Sequence, residues 1–182
     1  MKTCAKCGAS GTALMRTRLA NYEDAVLGYD VILVNAVDHF KCSVCDHEVK
    51  VVANQEGLIA AVALARLQMN YKLSAQEIKR VRMALNLKGV EFARKLSVSA
   101  ETVSRWENAE RMSDEKERTL RIVAAVILAE RAPLVDIDLA AIASMKLIPM
   151  RPVEFDPLCF EMIRTKVDKK KDDQWDSVDE AA

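Results

Sequence analysis

Two closely spaced cysteine pairs constrain the fold of this chain more strongly than any other feature of its sequence. Cys4 and Cys7 form one C-x-x-C turn, and Cys42 and Cys45 form a second. Each turn presents two thiolates to one ion, so the two turns together supply the tetrahedral sulfur shell typical of structural zinc. We therefore expect one structural Zn²⁺ per chain, held by these four cysteines.

The sequence around the cysteine pairs predicts a small sheet. Alternating apolar residues indicate strands at 13–20 and 29–40, joined by a loop at 21–28, and a third strand at 48–53. A zinc-ribbon β-meander is therefore expected over residues 1–54.

A thioredoxin-like redox pair is the alternative interpretation of a C-x-x-C motif. Two such pairs without a βαβ pattern favour the metal site instead. His47 lies two residues after Cys45 and could replace a ligand, but it is expected to face solvent, because four cysteines already fill a closed, structural shell. His39 alternates along a strand and is expected to be a surface or hydrogen-bonded histidine rather than a ligand. Cys159 has no partner at motif spacing and is expected to be a small buried hydrophobe.

The segment at 55–73 is expected to connect two domains. Residues 55–70 are mostly apolar and predict a helix that must pack on the ribbon, on the next domain or on a second subunit. Residues 70–73 look like a short linker.

Four helices are predicted within a domain at 74–131. Ser74 and Glu77 form a capping box, and Ser99 and Ser113 are good N-caps for later helices. The predicted helices start or end near these caps and cover residues 74–86, 89–96, 100–108 and 115–130.

The stretch at 88–112 has the form of two short helices joined by a tight turn. Val103 and Trp106 share one face, whereas Glu101, Ser104 and Arg105 fall on the other. This arrangement is typical of a helix-turn-helix reader, and an ordinary helical hairpin in a small all-α domain is the alternative.

The run from residue 78 to about 126 resembles the Xre or lambda-repressor type of helix-turn-helix. The residues that carry the resemblance are Arg82, Leu85, Phe92, Ala93, Leu96, Val98, Ser99 and the segment at 102–108. The chain departs from that pattern at Gly89, where a glutamine is common, and at Ser97 and Ala109, where glycine is common.

The resemblance implies which residues touch DNA. The base-facing set, with its two helix-start neighbours, is Ala100, Glu101, Ser104, Arg105, Ser99 and Thr102, and the phosphate-contacting set is Lys88, Arg94, Lys95 and Arg111. An arginine can donate two parallel bonds to guanine O6 and N7, and a glutamate can accept from cytosine N4 or repel phosphate. The alternative for each basic residue is a solvated helix face.

A cysteine-paired ribbon before an Xre-type domain resembles the MqsA (YgiT)-type antitoxins. That resemblance implies a ribbon, at residues 1–70, that binds a toxin, and a second domain that dimerises on a palindromic operator and represses its own operon. The alternative is a protein-binding adaptor or antitoxin that neutralises an enzyme, with DNA binding secondary.

The C-terminal third is expected to be a helical extension at 132–168, followed by a disordered charged tail at 169–182. Helices are predicted at 135–146 and 157–167. The extension is expected to contact a second subunit or a partner, and Trp175 has no assigned role.

Overall composition limits the function classes. Aromatic residues are only 5% of the chain, which favours small helical bundles. The formal net charge is +0, and the charges are distributed so that the middle of the chain is mildly basic and the end is acidic. No apolar run reaches membrane-spanning length, so we expect a soluble cytoplasmic protein without a membrane partner. Neither a catalytic Ser/His/Asp or Cys/His set nor a Gly-rich phosphate loop is present, so no enzyme is expected. The predicted fold class is α+β, with a ribbon, a helix and an all-α reader domain.

Overall fold

The protein is described by a computed structural model at residues 3–108, 111–149, 156–167 and 170–178. After a 3₁₀ turn the elements in chain order are β1 (Leu14–Val26), β2 (Tyr29–Cys42), β3 (Glu48–Val52), α1 (Gln55–Gln68), α2 (Ala75–Ala84), α3 (Gly89–Lys95), α4 (Ala100–Glu107), α5 (Asp114–Ala129), α6 (Leu139–Ser144), β4 (Leu158–Val167) and β5 (Lys170–Val178). The α+β class and the N-terminal meander are confirmed. Domain boundaries stay predictions.

The first two strands form a long hairpin with a tight turn. Strand β1 pairs with β2 from Leu14 to Val26, with one register shift between Leu19 and Asn21, so the predicted loop at 21–28 is wrong. Only Leu27 and Gly28 turn, with φ of 53° and 74°, the backbone of a two-residue hairpin turn. A Cβ on Gly28 would lie 2.5 Å from the guanidinium of Arg80 in α2, which docks the hairpin tip against the helices.

The C-terminal third differs from the sequence-based prediction. The predicted helix at 157–167 is strand β4, and β5 occupies 170–178 where disorder was predicted. Strand β4 pairs in parallel with β2, and β3 pairs with a later part of β2, so the second edge of β2 is occupied by both. Pairing to a distant strand overrides local helical spacing. Helix α6 is the part of the helical extension that remains, and residues 168–169 and 179–182 lie outside the described residues.

Trp175 fixes the last strand to the helical layer. Its side chain is fully buried, and its indole N–H donates to the Asn54 carbonyl oxygen at 2.9 Å. Asn54 is also the N-cap of α1, with its side chain accepting from the Gly57 amide. The tail residue without an assigned role is thus part of the core.

The helices start at the predicted caps. Ser74, Ser99 and Ser113 each accept a hydrogen bond from the backbone of the following turn. Helix α1 packs against α2, α5, α6 and β5, which is the burial expected of so apolar a helix. Val123 and Ile127 of α5 are half-buried, whereas Leu120 and Leu128 of the same helix are buried. Within the described ranges, no helix is long and apolar enough to cross a bilayer.

Two buried arginines join α1 to the following helices. Arg66 of α1 donates to Glu77 of α2 at 2.8 Å, and Tyr29 of β2 donates to the same carboxylate. Arg121 of α5 pairs with Glu117 of the same helix and also donates to backbone carbonyls in the last turn of α1 and in the segment after it. These bonds satisfy backbone groups that would otherwise be buried without partners, so the segment at 70–73 is anchored on both sides.

The Glu77 carboxyl gives stability a defined pH dependence. Burial alone would raise its pKa, but the hydrogen bond and charge of Arg66 outweigh burial and lower the pKa of Glu77 from 4.5 to about 2. A depressed carboxyl pKa stabilises the fold above the unfolded-state value, and this contribution is lost as pH falls.

We therefore expect Glu77→Gln to lower the free energy of unfolding at pH 7 by about 3–5 kcal/mol, because Arg66 loses its buried counter-charge. The difference from wild type should shrink as pH falls from 4.5 towards 2. Denaturant unfolding at several pH values measures it. A difference that stays constant across this window would show that the Glu77 charge contributes nothing.

Candidate metal centre and nucleic-acid interface

The four predicted cysteines meet at one point beside the sheet. Cys4 and Cys45 have their sulfurs 3.7 Å apart, as do Cys7 and Cys42, and all four sulfurs lie within 4.8 Å of one another. A zinc ion with sulfurs at about 2.3 Å would separate them by about 3.8 Å at the edges of a tetrahedron. Disulfide sulfurs would be about 2.0 Å apart, so these are thiols placed as ligands.

The cysteine turns fold so that backbone groups support the sulfurs. The backbone N–H groups of Cys7 and Lys6 donate to the Cys4 sulfur and lower the pKa of that thiol to about 6. At Cys45 the N–H of His47 also favours a thiolate, but burial and the neighbouring sulfurs outweigh it and raise the pKa to about 12. Four thiolates so close together therefore need a cation between them.

Among the described residues, the two histidines and Cys159 lie outside the cluster, and both histidines are half-buried rather than exposed. His39 contacts Thr17 and Glu48 rather than the sulfurs, and the cluster contains neither it nor His47 among the described residues. Cys159 lies outside the cluster and is half-buried, not fully buried as the sequence suggested. The cluster is therefore compatible with structural zinc held by four cysteines.

Helix α4 is amphipathic in the way a DNA reader requires. Ser99 caps its first turn and accepts from the Thr102 amide at 3.2 Å. Val103 and Trp106 are 1% and 6% exposed and anchor one face in the core. The turn before α4 places Ser97 at φ 53°, the left-handed conformation for which glycine is common in the Xre pattern.

An ion pair fixes the far end of α4. Arg82 of α2 donates to both carboxylate oxygens of Glu107, at 2.6 and 3.0 Å, and to the Leu87 carbonyl oxygen at 3.0 Å. Two parallel bonds define orientation as well as distance. Arg82 and Glu107 were noted in the sequence only as matching residues, and the structure gives them a positioning role.

Most predicted base-facing side chains are open to solvent on α4. Glu101, Ser104 and Arg105 are exposed, as is Ser99, whereas Ala100 and Thr102 are half-buried. The guanidinium of Arg105 lies 3.4 Å from the Thr102 hydroxyl, which holds it along the helix surface. The predicted phosphate contacts Lys88, Arg94, Lys95 and Arg111 are also exposed, at the ends of α3 and beyond α4.

Two side chains modify this surface. Asn108 was missed by sequence reasoning, and its amide donates to the Ser104 carbonyl at 2.7 Å, so it closes the end of α4. Its position one residue after the helix was the available signal. The Glu101 backbone N–H, Ser99 and Arg105 lower the pKa of Glu101, which keeps a negative charge at the start of α4.

The residues that form these helices match a known family. Residues 78–117 match the helix-turn-helix family model, from within α2 to the start of α5. This chain carries a helix-turn-helix domain. Helix-turn-helix domains bind double-stranded DNA, so the match supports a DNA-binding transcriptional regulator. No curated protein and no solved structure matches the chain significantly.

The ion pair of the helix-turn-helix domain can be tested alone. Arg82→Met should destabilise the fold by about 1–3 kcal/mol, because a charged hydrogen-bonded pair and the contact with Leu87 are lost. It should also weaken sequence-specific DNA binding through disorder of α4, although Arg82 itself is not a base contact. Urea unfolding measures the first effect, and Lys79→Met, which removes a positive charge from an exposed position of the same helix, is the matched control. Unchanged stability in Arg82→Met would contradict this role.

Proposed function

We propose that this protein is a sequence-specific transcriptional regulator that reads the DNA major groove with α4 and contains a structural zinc ribbon. The observation that carries the proposal is an exposed polar face on α4, with Arg105 at its centre, on a helix whose other face is anchored by Trp106. Direct readout of base edges requires such a rigid helix with outward polar side chains.

In this proposal Arg105 donates to guanine, Glu101 accepts from cytosine, and Ser104 adds a weaker contact. Lys88, Arg94, Lys95 and Arg111 contact phosphates, which position the domain without specifying sequence. The helix-turn-helix domain of one chain covers a half-site, and two chains on a palindromic operator cover two half-sites one helical turn apart. The zinc ion stabilises the ribbon, and the proposal assigns no catalytic step to the chain.

Selection of bound duplexes from random DNA tests the proposal. The protein should enrich one motif, repeated in inverted orientation, with affinity that falls as salt concentration rises. Recovery of random sequences at every salt concentration would count against sequence reading. Metal analysis of the same sample should give one zinc per chain.

The resemblance to MqsA-type antitoxins supplies a second candidate function, autorepression coupled to binding of a toxin by the ribbon. The ribbon exposes apolar side chains, namely Met15 at 54%, Val44 at 67% and Val51 at 38%. Exposed apolar side chains of this kind are common at protein-binding surfaces. A partner enzyme whose activity falls on addition of the full chain would support it, and a protein that binds DNA without any such partner would favour the regulator alone.

A further inference from the structure

Among the described strands, β1 lies at one edge of the sheet. It has 13 residues, pairs with β2 along one edge and with no other described strand. Exposed edge strands of this length pair readily with another chain. The strand at the opposite edge of the sheet, β5, is shorter, with 9 residues.

The charges along β1 are unevenly distributed. Arg16 and Arg18 lie in its first half and both contact the single carboxylate of Asp38, at 2.6 and 3.5 Å. Because one carboxylate neutralises only one of the two guanidinium groups, this half of the strand carries excess positive charge. Glu23 and Asp24 lie in its second half, exposed, and form no ion pair with the described residues. The edge is therefore positive at one end and negative at the other.

We propose that β1 pairs antiparallel with β1 of a second copy of this chain, so that each positive half meets the negative half of the other copy. Opposite charges directly across an antiparallel pair are stabilising, whereas parallel pairing would place like charges together. The strand that pairs with this edge is therefore β1 of a second copy, because the charge pattern of β1 is complementary to its own under a two-fold rotation.

Symmetry restricts the register. A continuous sheet needs a two-fold axis perpendicular to it, and opposed residues must then lie on the same face of the sheet. An axis at Ala20 places Arg16 opposite Asp24 of the second copy, and Thr17 opposite Glu23. Arg18 then faces Tyr22 of the second copy, whose ring already contacts the Lys50 ammonium of its own chain at 4.6 Å. Each pair occurs twice.

This arrangement suits the reader domains. Because the axis is perpendicular to the sheet, every element that packs on one face of the first copy has its counterpart on the same face of the second. Both helix-turn-helix domains then lie on one side of a ten-stranded sheet formed from two five-stranded sheets. This inference rests on the proposed function for its use in operator binding, but the assembly can be measured without DNA.

Reversing the charges of the acidic half tests the pairing. Wild type, Glu23→Lys/Asp24→Lys and the control Glu130→Lys/Asp136→Lys are compared by sedimentation equilibrium over a wide range of protein concentration, with zinc present. Glu130 and Asp136 are exposed residues beyond β1, so the control carries the same charge change. Wild type and control should have the mass of two chains, and the Glu23/Asp24 variant should have the mass of one.

Mixing two variants provides a rescue. In a pair of Arg16→Glu/Arg18→Glu chains, the first half of β1 in each copy would repel the acidic half of β1 in the other. When this variant is mixed with Glu23→Lys/Asp24→Lys, opposite charges face each other again across the pair. The mixture should form a heterodimer, with each variant alone monomeric. Far-UV circular dichroism and zinc content confirm that each variant is folded, and Glu23→Lys/Asp24→Lys decides the test if the arginine variant does not fold.

The inference would be overturned by a monomeric wild type, by a Glu23→Lys/Asp24→Lys variant that stays dimeric, or by a mixture of two folded variants that stays monomeric. A strand of a different protein that binds the wild-type monomer would also overturn it. Because sedimentation is measured without DNA, a failure here leaves the result of DNA selection unaffected, and a failure of DNA selection leaves the assembly result unaffected.

Discussion

Cys42→Ser is expected to abolish tight metal binding and to destabilise the N-terminal sheet. Cys42 is fully buried at the end of β2, and its backbone N–H donates to the His47 carbonyl, so it joins the sheet to the second cysteine turn. Structural zinc contributes about 10–16 kcal/mol in small metal-folded peptides, comparable to the total stability of about 5–15 kcal/mol of a typical domain. Metal content and a thermal unfolding curve measure both losses.

Cys159→Ser is the matched control for this prediction. Cys159 is half-buried and outside the cluster, so the Cys159→Ser variant should bind one zinc per chain and unfold like wild type. Addition of a chelator to wild type should reproduce the Cys42→Ser transition and should be reversed by zinc. If Cys42→Ser keeps a full equivalent of metal and the wild-type transition, the cysteine cluster does not hold the ion.

Arg105→Ala is expected to remove most of the preference for the operator. A good bidentate contact to guanine is worth about 1–3 kcal/mol of discrimination, which is roughly 5- to 150-fold in the ratio of affinities. Binding to non-specific DNA should be kept, since it depends on the phosphate contacts of Lys88, Arg94, Lys95 and Arg111. Lys146→Ala removes one positive charge from an exposed position outside the helix-turn-helix domain and serves as control.

The local features of the chain were predictable from its sequence. C-x-x-C spacing brought four cysteines together, and the serine caps at Ser74, Ser99 and Ser113 placed the starts of three helices. Caps and metal turns depend on residues close in sequence, so the information they need is local. The amphipathic spacing of α4 gave the buried Val103 and Trp106 in the same way.

Contacts between distant parts of the chain could not be predicted. The segment at 158–167 has an apolar spacing that suits a helix, but its pairing with Val31–Val34 of β2 makes it a strand. Trp175 lies in a charged, mostly polar C-terminal segment, and its burial depends on a contact with Asn54, which is distant in sequence. Arg66 looks like an exposed charge on an apolar helix until Glu77 and two backbone carbonyls are placed beside it.

Sequence reading by α4 is measured by the ratio of two affinities. The dissociation constants for the selected operator and for a scrambled duplex are measured at one salt concentration, for wild type and for Arg105→Ala. If α4 reads the operator, wild type should have a high operator preference that falls by roughly 5- to 150-fold in Arg105→Ala, with similar affinity for the scrambled duplex. A variant that keeps the wild-type ratio would contradict the assignment of Arg105 and of α4 as the reader.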